Sequence, residues 1–105
     1  MIKISILMPI FNEQKYIVEA IDSVLEQSCE EFELIIVDDF STDNSYNICK
    51  EYSNKFDRIK LIRNKKKGKV SAFNTAYKKS SGDFICYFAG DDMMTSDSLK
   101  NRFNF

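Results

Sequence analysis

Two pairs of adjacent aspartates each close an apolar run. Leu34-Ile35-Ile36-Val37 leads into Asp38-Asp39, and Phe84-Ile85-Cys86-Tyr87-Phe88-Ala89-Gly90 leads into Asp91-Asp92. Neighbouring carboxylates repel, so a chain that sets two such pairs at the mouths of buried strands points to a bound cation or polar ligand. A carboxylate at a strand end can accept hydrogen bonds from a nucleobase N–H or a ribose hydroxyl. The second pair, placed beside a nucleotide diphosphate, suits Mg²⁺ or Mn²⁺, because these hard cations prefer oxygen and bridge carboxylates to phosphate. Such an ion neutralises charge on a phosphate leaving group. A plainer reading stands beside each pair: both are also turns, Ser41, Thr42 and Asp43 are good helix caps, and Asp92 or Ser96 can open a last helix.

These residues need a frame. Ile4 to Met8 is too short and too β-branched for a helix and reads as a first strand ended by Pro9. Asn12 is placed to cap a helix whose apolar stripe is Ile17, Ala20, Ile21, Val24 and Leu25, running to about Ser28. Phe32 to Val37 is a second strand. Ile48, Cys49, Tyr52 and Phe56 repeat at helical spacing, and Ile59 to Ile62 is a third strand. Arg63 to Gly68 is a basic loop. From Lys69 a helix carries Val70, Phe73 and Tyr77 on one face until Ser80-Ser81-Gly82-Asp83, and Phe84 to Phe88 is a fourth strand that reads as apolar on both faces.

Strand and helix thus alternate. Right-handed crossovers turn such a pattern into an α/β fold, a Rossmann-like parallel sheet with helices on both faces and strand order 3-2-1-4. Ligands bind beyond the carboxyl ends of such strands, near the switch between strands 1 and 4. Phe11, Asn12 and Glu13 follow strand 1, Asp38 and Asp39 strand 2, Gly68 strand 3, and Asp91 and Asp92 strand 4, so all fall on one edge. Pro9 and Phe11 read equally as strand-ending residues, yet an aromatic next to the Asp39 loop is well placed to lie against a flat base. Gly68 and Lys69 open a helix whose amides can face an anion; the rest of that segment reads as a plain helix start.

Composition narrows the classes. The 105 residues form one small domain, 44% hydrophobic and 30% charged with 3 Gly and 1 Pro, which fits an ordered globule. A net charge of -1 argues against a nucleic-acid partner. Seven basic residues between Arg58 and Lys69 read as a solvated loop, with an anion-facing rim as the alternative. Cys29, Cys49 and Cys86 are odd in number and lack metal-ligand spacing, so they read as core residues of a protein in a reducing, cytoplasmic compartment. No apolar stretch reaches the roughly 20 residues of a transmembrane segment. Work at the inner membrane face stays open.

The strings Ile4 to Glu13, Ile36 to Asp43, Gly68 to Asn74, Ser81-Gly82-Asp83 and Gly90-Asp91-Asp92 together resemble family 2 glycosyltransferases of the GT-A fold, in order and in spacing. The resemblance implies an inverting transfer from a nucleotide-sugar donor, usually UDP-linked, to a hydroxyl acceptor in glycan or lipid-linked glycan synthesis. It implies that Pro9, Phe11 and Glu13 border uracil and ribose, that Asp39 with Asp38 binds the base, and that Asp91 and Asp92 share ribose contact and a divalent cation. Three positions depart from the family pattern: Ala89 stands at the first place of its Asp-x-Asp-Asp signature, Phe40 where glycine is usual, and Phe73 where arginine is usual.

The same resemblance places the acceptor site and the acceptor-deprotonating carboxylate in a second half. No residue between Met1 and Phe105 is assignable as catalytic base, so residues 1–105 are expected to be the donor-binding half and inactive alone. An unpaired edge on strand 4 then predicts a homodimer. The rivals are a Mg²⁺-binding receiver module, disfavoured because its acidic pair follows the first strand and it needs a fifth strand carrying lysine, and a non-catalytic nucleotide-binding scaffold.

Overall fold

The computed structural model describes residues 2, 4–28 and 31–88. Within them strands and helices alternate as β1 (Ile4–Ile10), α1 (Ile17–Leu25), β2 (Phe32–Asp38), α2 (Ser45–Lys55), β3 (Ile59–Arg63), α3 (Lys69–Lys79) and β4 (Phe84–Tyr87). The strands pair in parallel in the order β3-β2-β1-β4, as the crossover rules require. Cys29, Ala89, the Gly90-Asp91-Asp92 segment and the last helix expected from Asp92 or Ser96 lie outside the described residues.

Side-chain alternation splits the core into two layers. Ile4, Ile6, Met8 and Ile10 of β1 and Leu34 and Ile36 of β2 face α1 and α2, where they meet Ile17, Ile21, Val24 and Cys49. Leu7, Ile35 and Val37 face the other way, onto Ala72 and Ala76 of α3. Central strands buried on both faces explain the unbroken apolar runs in the sequence. Each fully buried Ile or Leu contributes about 1.5–3 kcal/mol, which is why these runs fix register. On the first face, the Tyr52 hydroxyl of α2 donates to Asp22 of α1 at 2.7 Å.

Four expectations change. Pro9 continues β1 instead of ending it, pairing with Val37. The Leu7 carbonyl accepts from Phe88 on the β4 side, so strand alternation aims the Pro9 nitrogen to that side too, beyond the last β4 pair at Leu7–Tyr87. No ladder bond is lost there. Asn12 does not cap α1; the N-cap residue is Tyr16, without a side-chain cap, and Asn12 lies in the left-handed region at φ 51 with its amide turned to another loop. The buried face of α3 is Ala72 and Ala76 with half-buried Phe73 packed beside them, not Val70 and Tyr77. Alanine lets the helix approach the sheet closely, while Val70 and Tyr77 are exposed and Phe73 stacks on Tyr77 and leans on Tyr87. Finally, β4 is not covered on both faces in the described structure, because Phe84 and Tyr87 are 41% and 53% exposed.

Polar groups tie the amino ends of the strands. Glu33 is fully buried, yet its carboxylate accepts from the Ser5 hydroxyl at 2.6 Å, the Lys60 ammonium at 2.9 Å, and the Ser81 amide and hydroxyl at 2.7 and 3.0 Å. Burial alone pushes its pKa up, but these donors together outweigh burial and hold it below the ordinary 4.5. Ser5 in turn accepts from the Gly82 amide at 2.8 Å. At Gly82 the chain passes so close to β1 that a Cβ would lie 2.8 Å from the Ser5 nitrogen.

This tie has a measurable sign. The folded pKa of Glu33 is lowered, so its stabilisation is present above pH 4.5 and lost as pH falls through the lowered folded value. Glu33→Gln is expected to cost about 1–3 kcal/mol near neutral pH, because donors that met a carboxylate lose charge-assisted bonds. Urea unfolding at pH 7 and pH 3 should then show a smaller stability difference for the variant than for the wild type.

Candidate functional site

The carboxyl ends of β1, β2 and β3 carry three loops, and β2 decides what reaches them. Asp38 is the last residue of β2 and continues the Leu34 and Ile36 side, toward α2; Asp39 follows and continues the Ile35 and Val37 side, toward α3. The adjacent pair is thereby split between the two faces of the sheet.

Asp39 is almost buried, at 8% exposure. Its Oδ1 accepts from the Asn64 side-chain amide at 3.0 Å and from the Gly68 amide at 3.1 Å, and its Oδ2 lies 3.2 Å from the same Gly68 nitrogen. Gly68, the N-cap residue of α3, has φ 135 and ψ 150, a region open essentially to glycine alone. That conformation turns the Gly68 N–H back to Asp39 while α3 starts at Lys69. A carboxylate oxygen has room for more than one donor, so Asp39 can serve both its own loop and a ligand N–H or O–H.

Asn64, which the sequence reading passed over, is the centre of the β3–α3 loop. It is 6% exposed; its side-chain amide also donates to the Lys66 carbonyl at 2.7 Å, and its carbonyl oxygen accepts from the Ser71 and Thr75 hydroxyls, both at 3.2 Å. Its backbone amide donates to the Asp38 carbonyl at 2.9 Å. An Asn one residue past a strand and level with an aspartate on the next strand was the available signal.

The β1–α1 and β2–α2 loops are locked together. The Asn12 side-chain oxygen accepts from the Thr42 amide at 2.8 Å and the Asp43 amide at 3.3 Å, while the Asn12 amide donates to Ser41 Oγ at 3.0 Å. Glu13 N–H donates to Ser45 Oγ at 2.8 Å and Gln14 N–H to Asp43 Oδ2 at 3.2 Å. Ser41 and Thr42, read as helix caps in the sequence, make this loop-to-loop tie instead, whereas Asp43 does both, its Oδ1 accepting from the Ser45 N–H at 2.9 Å at the start of α2. Phe40, at the position where the resembled family has glycine, pays for the sharp turn with a left-handed φ of 65.

Phe11 stands at the mouth, 44% exposed, and the Lys67 ammonium lies 5.1 Å from its ring centre. Two loops therefore meet above Asp39 through a cation–π contact. Pro9 lies just behind in β1, and Glu13 places its main chain at the loop contact, its carbonyl accepting from the Tyr16 and Ile17 amides. Lys69 is exposed at the start of α3, on a groove of about 500 Å³ that Lys66, Lys67, Ser71 and Lys78 also line.

Asp38 is placed apart. Its Oδ2 accepts from the Ser41 amide at 3.3 Å, shaping the turn, and its buried Oδ1 has no partner among the described residues. Burial, and then the Asp38 charge, push the Cys49 thiol up to about 12, so Cys49 is an inert core thiol. Arg63, opposite Asp38 in register, stacks its guanidinium 3.8 Å from the Tyr46 ring centre. Asp91 and Asp92 lie outside the described residues, among which no three His, Cys, Asp or Glu side chains gather as a metal-binding group.

With this geometry in place, the likenesses of the chain gain meaning. Residues 5–105 match the family model described as Glycosyl transferase family 2. The chain is 38% identical over 103 residues to an uncharacterized glycosyltransferase of Haemophilus influenzae, covering 97% of this chain and 41% of that protein. It is 38% identical over 105 residues to the putative glycosyltransferase EpsE of Bacillus subtilis, covering 98% and 38%. The crystal structure of Staphylococcus aureus TarS 1–349 in complex with UDP superposes with a TM-score of 0.89 at 32% identity, over 98% of this chain and 31% of that one. The chain spans less than half the length of each of these relatives.

Two substitutions test the loop architecture. Asn12→Ala removes the acceptor for the Thr42 and Asp43 amides and forces alanine to a left-handed φ, so a loss of about 1–3 kcal/mol is expected, with faster hydrogen exchange at those two amides. Phe40→Gly relieves a left-handed residue at about 1–2 kcal/mol against a smaller gain in unfolded-chain entropy. A net rise in stability, read by thermal unfolding, is the expected result.

Proposed function

The chain belongs to glycosyl transferase family 2, and from that premise we propose that these residues form the donor-binding part of an enzyme that moves a sugar from a UDP-linked donor to a hydroxyl acceptor. In this reading an acceptor oxygen forms a bond to the anomeric carbon as the carbon–oxygen bond to the diphosphate breaks. The acceptor proton passes to a base, the configuration inverts, and UDP leaves. The observation that carries the reading is Asp39, held almost buried between the Phe11 loop and the Gly68 loop at the carboxyl edge of the sheet.

Each residue has a task in it. Asp39 accepts from the base N–H, Phe11 offers its ring as a stacking surface, and Pro9 and Glu13 border the base and ribose. Gly68 and Lys69 face the phosphates from the start of α3. Asp38 acts through the turn it shapes, since strand alternation directs it to α2. Asp91 and Asp92 would hold Mg²⁺ or Mn²⁺, which supplies positive charge to the departing diphosphate. Support for a UDP-linked donor comes from TarS, a poly(ribitol-phosphate) β-N-acetylglucosaminyltransferase at 32% identity whose structures hold UDP and UDP-GlcNAc.

The acceptor in this reading is a glycan or lipid-linked glycan, and the setting is the cytoplasmic face of a membrane. The buried Cys49 thiol fits a reducing compartment, and no helix among the described residues is long and apolar enough to cross a membrane. Self-association through the β4 edge belongs to the same reading, because β4 is the outermost strand on its side among the described residues and a strand edge invites another strand.

Calorimetric titration of UDP with and without Mn²⁺ is the test. Asp39→Asn, which keeps an acceptor for Gly68, is expected to weaken UDP about tenfold by presenting an amide to the base N–H. Asp91→Ala should abolish the Mn²⁺-dependent gain. Metal-independent binding of equal strength in the wild type and both variants would refute these assignments.

A further inference from the structure

Two of the described cations near the mouth are engaged within their own neighbourhood. Arg63 stacks on Tyr46, and Lys15 lies 5.4 Å from the ring centre of its neighbour Tyr16. Lys60 is on Glu33, at the opposite end of the sheet. Lys67 differs, because it reaches from the β3–α3 loop to the Phe11 ring on the β1–α1 loop. Its backbone is also fixed on both sides: the preceding Lys66 carbonyl accepts from Asn64, and the following Gly68 amide donates to Asp39. An exposed lysine on a pinned backbone loses less freedom on meeting an anion than one on a loose loop.

Charge gives this position its meaning. Asp39 and Asp43 put carboxylates on the loops of the mouth, so a diphosphate there needs a cation beside it. Phe73, where the resembled family carries arginine, is turned into the apolar contact with Tyr77 and Tyr87 and brings no cation. Resting on the UDP-donor reading above, we propose that Lys67 recognises the nucleoside diphosphate: the base takes the ring face of Phe11, and the displaced ammonium pairs with phosphate. The exchange trades a weak exposed cation–π contact for a charge-assisted hydrogen bond plus base stacking.

The test compares UDP with uridine, titrated into the 105-residue chain and followed by amide chemical shifts. Lys67→Ala is expected to weaken UDP about tenfold while changing uridine less than twofold, and Lys67→Arg to restore most of the loss. Lys55→Ala, which removes the same charge at the far end of α2, should leave UDP affinity within about twofold. An unchanged UDP affinity in Lys67→Ala, an equal loss for uridine, or an equal loss in Lys55→Ala overturns the role of Lys67 while leaving UDP binding itself standing. Failure of the wild type to bind either ligand removes the donor-site reading, and the role of Lys67 with it.

Discussion

A β-strand sends consecutive side chains to opposite faces, and at the end of β2 that geometry separates two neighbouring aspartates. Asp38 goes to the α2 side, where it shapes a turn beside a buried thiol; Asp39 goes to the α3 side, where it meets Gly68 and Asn64. The arrangement of the mouth follows from this separation. Were the register shifted by one residue, the apolar layers would exchange faces and Asp39 would leave the β3–α3 loop.

Two carboxylates thus serve opposite ends of one sheet. Glu33 gathers β1, β3 and the approach to β4 at the amino ends, and Asp39 gathers the loops at the carboxyl ends, with an apolar double layer between. Both sit on the α3 side, where the alanine contacts of the helix leave the sheet close to its covering layer. A buried carboxylate is tolerated when several donors meet it, and each of these carboxylates gathers donors from more than one element. The polar ties therefore place strands and loops that apolar packing alone would leave free to slide.

Much of this was legible in the residues. Apolar runs and their spacing gave the strand order, the α1 stripe and the convergence of Phe11, Asp39 and Gly68, because burial on two faces leaves a plain signature. What escaped has a common cause. Asn12 reads locally as a cap but bonds to residues some thirty positions away, and Asn64 reads as a loop residue but its side chain reaches Asp39 on the neighbouring strand's loop while also meeting Lys66, Gly68, Ser71 and Thr75. Long-range hydrogen bonds leave no period in a sequence. For α3, large apolar residues drew attention from Ala76, although close packing against a sheet favours the smaller side chain.

Gly82 carries a consequence of its own. With the Ser5 nitrogen 2.8 Å and the Ile4 carbonyl carbon 2.9 Å from where any Cβ would stand, this position admits no other amino acid unless β1 retreats. Because β1 is the middle of the sheet, retreat would disturb both of its neighbours together. The crossing from α3 into β4 is thus a fixed point of the fold: a gain or loss of one residue there moves the glycine off its seat beside β1.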